Sequence, residues 1–414
     1  MCERLFDRSE RQTPHCVGLN ADRRLFNKRA TRANLTFSPC RYDADDNIIL
    51  EAGDAQGVAV GSKYGVHGSI LDPSQKNPQL DVLIVTRVNV FTAVLSPSDL
   101  LSGVPDVFYA RKISNGPGQS FTVHCSDRKL LDAVLSDRQA GDVLGVIPVD
   151  DANSADLSLS VSDGKVIFYR NDPMVTSYIG TGQRFPYQIN SDDHHRLRNV
   201  IRCAVNFKQH LRRTGEDILA QKIRVEFTEL ELSKSGGFET WLLVGENLLR
   251  DNLVASVGVD RMFGLTVLNQ TDLPLYAYVF AFDPSDLTIG RSNAYCTGMF
   301  LRQKIDCWYM PALGSHLGKA GRVDPSIAPR SSLTLGYGDT ATAPWTFGLR
   351  PGEGVDVGFF KIFLTTSPSN FSTLIQESPF LPTNASSRLV DTMNPSPPSF
   401  ELWATKLATI VHRR

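Results

Sequence analysis

Four stretches of the chain carry residues of the kind that ligate metals, attack carbonyls or cradle phosphates. Asp192-Asp193-His194-His195 has the carboxylate and imidazole composition of a metal site. His15-Cys16 and His124-Cys125 each set an imidazole beside a thiol, as a cysteine nucleophile requires. Gly314-Ser315-His316-Leu317-Gly318-Lys319-Ala320 echoes a phosphate-binding loop. Spacing argues against each. Adjacent residues of an extended strand point to opposite faces, so neither His-Cys dipeptide brings ring and thiol together. Neighbours on a helix splay by about 100°, and Asp192 or Asp193 reads instead as the cap of the helix that follows. The Gly314 stretch is one residue short of G-x-x-x-x-G-K-[ST] and ends in Ala320 where a magnesium-binding hydroxyl belongs. Gly53, Gly57 and Gly61 lack G-x-G-x-x-G spacing and read as bends. Neither C-x-x-C nor G-x-S-x-G occurs. No residue is therefore assigned a catalytic, metal-binding or cofactor-binding role.

The elements that would position such residues are mostly strands. Of the 414 residues 42% are hydrophobic, enough for a sizeable core, and the length fits two or three domains. Asn47–Leu50, then the glycine series, then the β-branched run Asp81–Leu95 predict a small β-barrel over residues 36–115. Residues 116–215 are mixed. Ser126-Asp127 caps a short helix, Leu157–Val161 and Lys165–Tyr169 form a hairpin about Asp163-Gly164, and a long helix spans 193–213. Leu197, Val200, Ile201, Ala204, Phe207 and Leu211 give that helix its apolar face. Residues 216–368 read as an antiparallel β-sandwich, in which both faces of Leu275–Phe282 are apolar and Trp345–Leu349 adds a strand. Residues 369–414 read as a Pro/Ser-rich tail closing in a strand or a helix. The expected fold is mainly β with one or two helices (α+β), a small barrel followed by a sandwich.

Lys+Arg 43 against Asp+Glu 44 gives a net charge of −1, so no global field draws in nucleic acid or acidic membrane. No segment approaches the roughly 20 apolar residues that span a bilayer. Seven scattered cysteines make no disulfide framework, and a cytoplasmic location is expected. The long helix carries Arg196, Arg198, Arg202, Lys208, Arg212 and Arg213. A basic stripe can dock an acidic partner, although a face paired with nearby Asp and Glu is the simpler expectation.

Residues 1–35 carry a further signal. Gln12 to Phe26, QTPHCVGLNADRRLF, resembles the segment that closes the peptidase domain in fungal, basidiomycete-type caspase-like cysteine peptidases. Matching stretches continue in order: ILEAGDAQGVAVGS from Ile49, ADLSLSVSDGKVIF from Ala155, HLRRTGED from His210, and the alternating Ile223–Leu232. LTVLNQTDLPLYAYVFAFDPSDLTI from Leu265, GRVDPSIAPRSSLTLGYG from Gly321 and DVGFFKIFLTTSP from Asp356 follow. The resemblance implies the β-rich accessory region of such a protein, with a remnant of the caspase-like domain at 1–35. The family's catalytic His and Cys would precede the QTP segment. Residues Arg291 to Lys304 interrupt the pattern, as a lineage-specific loop or a retained intron would. The function implied is a non-catalytic interaction region that regulates or positions a peptidase domain in trans, or that binds another protein. The candidate docking residues are Leu25, Phe26, Arg198, Arg202, Arg212 and Arg213. Two alternatives stand beside it: a truncated form of an active caspase-like endopeptidase, and a ligand- or carbohydrate-binding β-module using Trp308, Trp345, Tyr276 or Tyr337. No cofactor is expected.

Overall fold

The computed structural model describes residues 37–69, 77–97, 107–117, 120–136, 145–180, 183–235, 238–250, 252–291, 325–338, 342–350, 352–381 and 401–414. The protein is mainly β, as expected. Its first unit is a closed six-stranded barrel of β1 (Phe37–Tyr42), β2 (Ile48–Leu50), β3 (Lys63–His67), β4 (Gln79–Val88), β5 (Ala93–Leu95) and β6 (Val107–Ser114). The order is β1-β2-β5-β4-β3-β6, with β6 pairing back onto β1. The alternation in β4 turns Leu83 and Val85 inward onto Leu50, Val66, Phe108 and Ala110. Closure leaves the barrel without a free sheet edge.

The second unit is a five-stranded mixed sheet of β7 (Phe121–Cys125), β8 (Val146–Pro148), β9 (Leu157–Ser162), β10 (Lys165–Arg170) and β11 (Gln183–Asn190). The β9–β10 hairpin turns at Asp163 and Gly164, whose φ of 51° and 70° are both left-handed. That pair of angles is what a two-residue turn matched to strand twist needs. Three helices belong to this unit: α1 (Arg128–Ser136), α2 (Pro173–Ile179) and α3 (His194–Arg212). Asp127 caps α1, and the carboxylate of Asp193 accepts the Arg196 amide at the start of α3.

The third unit is a sandwich. After the short α4 (Asp217–Gln221), one sheet runs β13-β12-β15-β18, from β12 (Ile223–Ser235), β13 (Phe238–Val244), β15 (Met262–Asn269) and β18 (Ser332–Leu335). The other runs β14-β20-β19-β16-β17, from β14 (Val254–Gly258), β16 (Tyr276–Asp283), β17 (Thr288–Arg291), β19 (Val355–Thr365) and β20 (Trp403–Arg413). Two details differ from expectation. The terminal segment takes the strand form, one of the two expected, but it lies between β19 and β14 and so completes the sandwich rather than trailing from it. Its pairing with β14 is parallel, the one such pair in an otherwise antiparallel sheet. The expected strand at 345–349 reduces to a single bridge, Phe263 with Trp345.

α3 lies between the mixed sheet and the five-stranded sheet of the sandwich. One core joins Phe121, Phe168 and Ile189 of the first, Leu197, Ile201 and Phe207 of α3, and Phe280, Phe359 and Phe363 of the second. A separate core fills the sandwich between Phe227, Leu265, Ile362 and Ala408. β16 divides the two, with Phe280 and Phe282 in one core and Val279 and Ala281 against the other. That explains why both its faces are apolar.

Candidate functional site

The three units meet at the C-terminal end of α3. The helix stops at Arg213, which leaves helical geometry at ψ 132° and turns its side chain between barrel and sandwich. From the sandwich, the guanidinium carbon lies 5.1 Å from the ring centre of Phe363 and 5.7 Å from that of Trp403. From the barrel, Gly57 approaches so closely that a Cβ built on it would collide with Nη1 of Arg213. Gly57 closes the short 3-10 helix Asp54–Gln56 at φ +83°, a conformation suited to glycine. The Trp403 indole donates to the Asp54 carboxylate at 2.9 Å, tying the same turn to β20.

Two lysines point into this junction. Lys112 of β6 donates to the Gly57 carbonyl at 3.0 Å, and Lys361 of β19 donates to the Leu211 carbonyl at 3.0 Å. The second bond satisfies one of the open carbonyls at a helix C-terminus, where the dipole favours a cation. Burial, reinforced by Arg213, pushes both amines down to about 7. Burial lowers Arg213 to about 9 against the pull of Asp54 and Tyr64, so it stays charged at neutral pH. His210, buried beside these three cations, is held well below the ordinary histidine value and is neutral. Arg213 as a residue keeps partial exposure, but all three guanidinium nitrogens are buried and meet no acceptor, and His210 Nδ1 is likewise without a partner. Beside the junction lies a cavity of about 360 Å³ lined by Asp54, Thr214–Ile218 and Trp403.

A second buried polar cluster behaves differently because its charges are matched. Arg350 bonds Asp356 at 2.5 Å and Asp283 at 3.1 Å, and Ser285 donates to the other oxygen of Asp356 at 3.0 Å. Arg170 donates to the Pro284 carbonyl and to Ser285. Desolvation and the nearby Asp286 raise the Asp283 carboxyl, while the flanking carboxylates keep Arg350 charged. This network ties β10, the β16–β17 turn and β19 together, and it is a structural latch.

The residues singled out in the sequence are dispersed by the fold. Arg198 is buried and donates to the Val134 carbonyl of α1; Arg202 bonds Asn199 at 2.6 Å; Arg212 pairs with Asp172 at 2.7 Å. With Arg213 buried at the junction, these four do not share an exposed stripe. Lys208 also finds an acid, Asp156. Leu25, Phe26, His15-Cys16, Trp308, the Gly314–Ala320 stretch and residues 292–304 lie outside the described residues. His124 and Cys125 alternate across β7 as expected, and burial raises the Cys125 thiol. Asp193 is occupied as a cap. Trp345 is buried, Tyr276 and Tyr337 are half-buried, and the Tyr337 hydroxyl bonds Thr266. Among the described residues no group of three or more His, Cys, Asp or Glu is arranged to hold a metal ion. No helix among them is long and apolar enough to cross a membrane. Sequence reasoning missed Lys112, Lys361 and Asp54. Lys361 did leave a signal, a lone cation inside the apolar run Val355–Thr365.

A cluster of exposed apolar side chains lies elsewhere, at the β13 edge of the sandwich. β12 pairs with β15 only through Leu230, whereas it pairs with β13 from Glu229 to Ser235. Residues 231–235 and their β13 partners thus extend past the sheet as a two-stranded arm. Leu232, Leu242, Leu243 and Val244 on and beside it are 37, 51, 50 and 41% exposed. Leu232 and its partner Trp241 lie on one face of the arm and Leu242 on the other, among the polar residues Glu231, Ser233, Lys234, Glu239 and Thr240, and Leu243 adjoins its base. No strand among the described residues covers the outer edge of β13.

Comparison with known proteins returned no matching family model, no similar curated protein and no similar solved structure.

Proposed function

We propose that this chain is a non-catalytic interaction region of a caspase-like protein, which positions or restrains a peptidase domain. The observation that carries the interaction role is the β12–β13 arm. A two-stranded ribbon with apolar side chains on both faces is marginal in water and gains stability when a partner covers it. Its open backbone edge offers a ladder of N–H and C=O groups to another strand. The choice of partner rests on the resemblance of Gln12–Phe26 and the stretches that follow it to fungal caspase-like peptidases. A caspase-like catalytic domain, being built on a sheet, has strand edges that can continue the arm.

Co-purification tests the reading. The full chain should retain a purified fungal caspase-like catalytic domain, and Leu242→Asp with Leu243→Asp should lose it while melting at the same temperature. Failure of the wild-type chain to retain any such domain would overturn the proposed partner. Retention unchanged in the double variant would remove the arm from the interface.

A further inference from the structure

The junction at Arg213 is an excess of donors. Its guanidinium is charged, buried and without an acceptor at Nε, Nη1 or Nη2. An arginine cannot shed its charge as a lysine can, and an uncompensated buried ion costs several kcal/mol. Lys112 and Lys361 each use one N–H on a backbone carbonyl, leaving two apiece. The imidazole of His210 closes the group, its Cε1 3.4 Å from where a Gly57 Cβ would stand. Opposing negative charge comes from Asp54, whose carboxylate accepts the Trp403 indole, and from the carbonyl end of α3, where Leu211 is covered by Lys361. Tyr64, buried in the barrel wall, is neutral.

We propose that this junction is an oxyanion site that takes a phosphate-class anion and so ties barrel, α3 and sandwich together. A tetrahedral oxyanion suits a planar guanidinium fork flanked by two ammonium groups. Each unit supplies one cation: Lys112 from the barrel, Arg213 from the end of α3, Lys361 from the sandwich. The cavity next to this cluster is lined by Asp54, Glu216 and Asp217 together with Gly215 and Trp403. Its carboxylates oppose an anion, so Asp54 weakens binding rather than contributing to it. Proton uptake by the two lysines accompanies binding, and affinity falls as pH rises above neutral. The charged and titratable groups around the anion are Lys112, Lys361, Arg213, His210, Asp54 and Tyr64, with Glu216 and Asp217 in the adjoining cavity.

The test is thermal unfolding of the full chain in inorganic phosphate against chloride at equal ionic strength, with affinity from titration calorimetry. A saturable rise in melting temperature with phosphate is expected. Lys112→Met and Lys361→Met should each weaken binding about tenfold or more, the loss of one charged hydrogen bond. Both should fold without phosphate, since methionine keeps the apolar stem and removes a buried charge. Asp54→Asn should tighten phosphate binding. A rise that never saturates, or one of equal size in both methionine variants, would mean general salt exclusion only and would overturn the proposal. So would weaker binding in Asp54→Asn.

Discussion

At the scale of single residues, the two polar clusters show how the same interior treats matched and unmatched charge. Arg350 has Asp283 and Asp356 within hydrogen-bond reach, while Arg213 has aromatic rings and a glycine. The consequence is a pH dependence with a definite sign. Lys112 and Lys361 fall to about 7 in the fold from an ordinary value of 10.5. Between those values the unfolded chain binds more protons than the folded one, so stability rises with pH across the window. Their contribution is complete above 10.5 and is lost as pH falls through about 7. Asp283 and Asp286 act the other way: their raised folded pKa adds stability below 3.8 that is lost as pH rises. Urea unfolding in chloride should therefore show wild type gaining stability from pH 7.5 to 9.5. Lys361→Met should reduce that slope by up to about 1.4 kcal/mol per pH unit, one proton's worth. Identical slopes would show that Lys361 is not held neutral by the fold.

Among the elements, α3 decides how the layers stack, and its start depends on one carboxylate. Asp193→Ala removes the acceptor for the Arg196 amide and should cost about 1 kcal/mol in urea unfolding. An unchanged midpoint would mean that packing on both sides sets the helix start without the cap. This helix was legible in the sequence because its period of 3.6 survives burial, with polar cap and basic end in place. The β9–β10 hairpin was legible for a similar local reason, the Asp163-Gly164 turn. β20 was not. Trp403, Leu407 and Ile410 fall at helical spacing, and a strand covered on both faces shows no alternation to contradict them. Trp345–Leu349 misled in the opposite direction, since its aromatic residues fill the sandwich core by side chain while the backbone pairs only at Trp345. The junction was least legible of all. Lys112, Gly57, Arg213 and Lys361 are separated by tens to hundreds of positions, and nothing local announces that they meet.

Across the whole molecule, core sharing sets which parts unfold together. The mixed sheet, α3 and the outer face of the sandwich draw on one core, so none of them can open without exposing the others. The barrel has its own closed core and is held at the junction by a few contacts: Gly57 against Arg213, Trp403 on Asp54, and Ala55 inserted into the shared core. Gly57 is therefore the position from which barrel and sandwich can be separated with least damage to either. Gly57→Val would force a branched side chain into a left-handed backbone and against Arg213. The strain falls on the contact surface, while the barrel core about Leu83 and Phe108 and the sandwich core about Phe227 are untouched. Hydrogen exchange should then show faster exchange at residues 54–58 and at the Trp403 indole, with the protection of β4 and β15 retained. Loss of protection throughout β4 would make the barrel dependent on its neighbour for folding. Unaltered exchange at Trp403 would mean that the junction is not what holds the units in register.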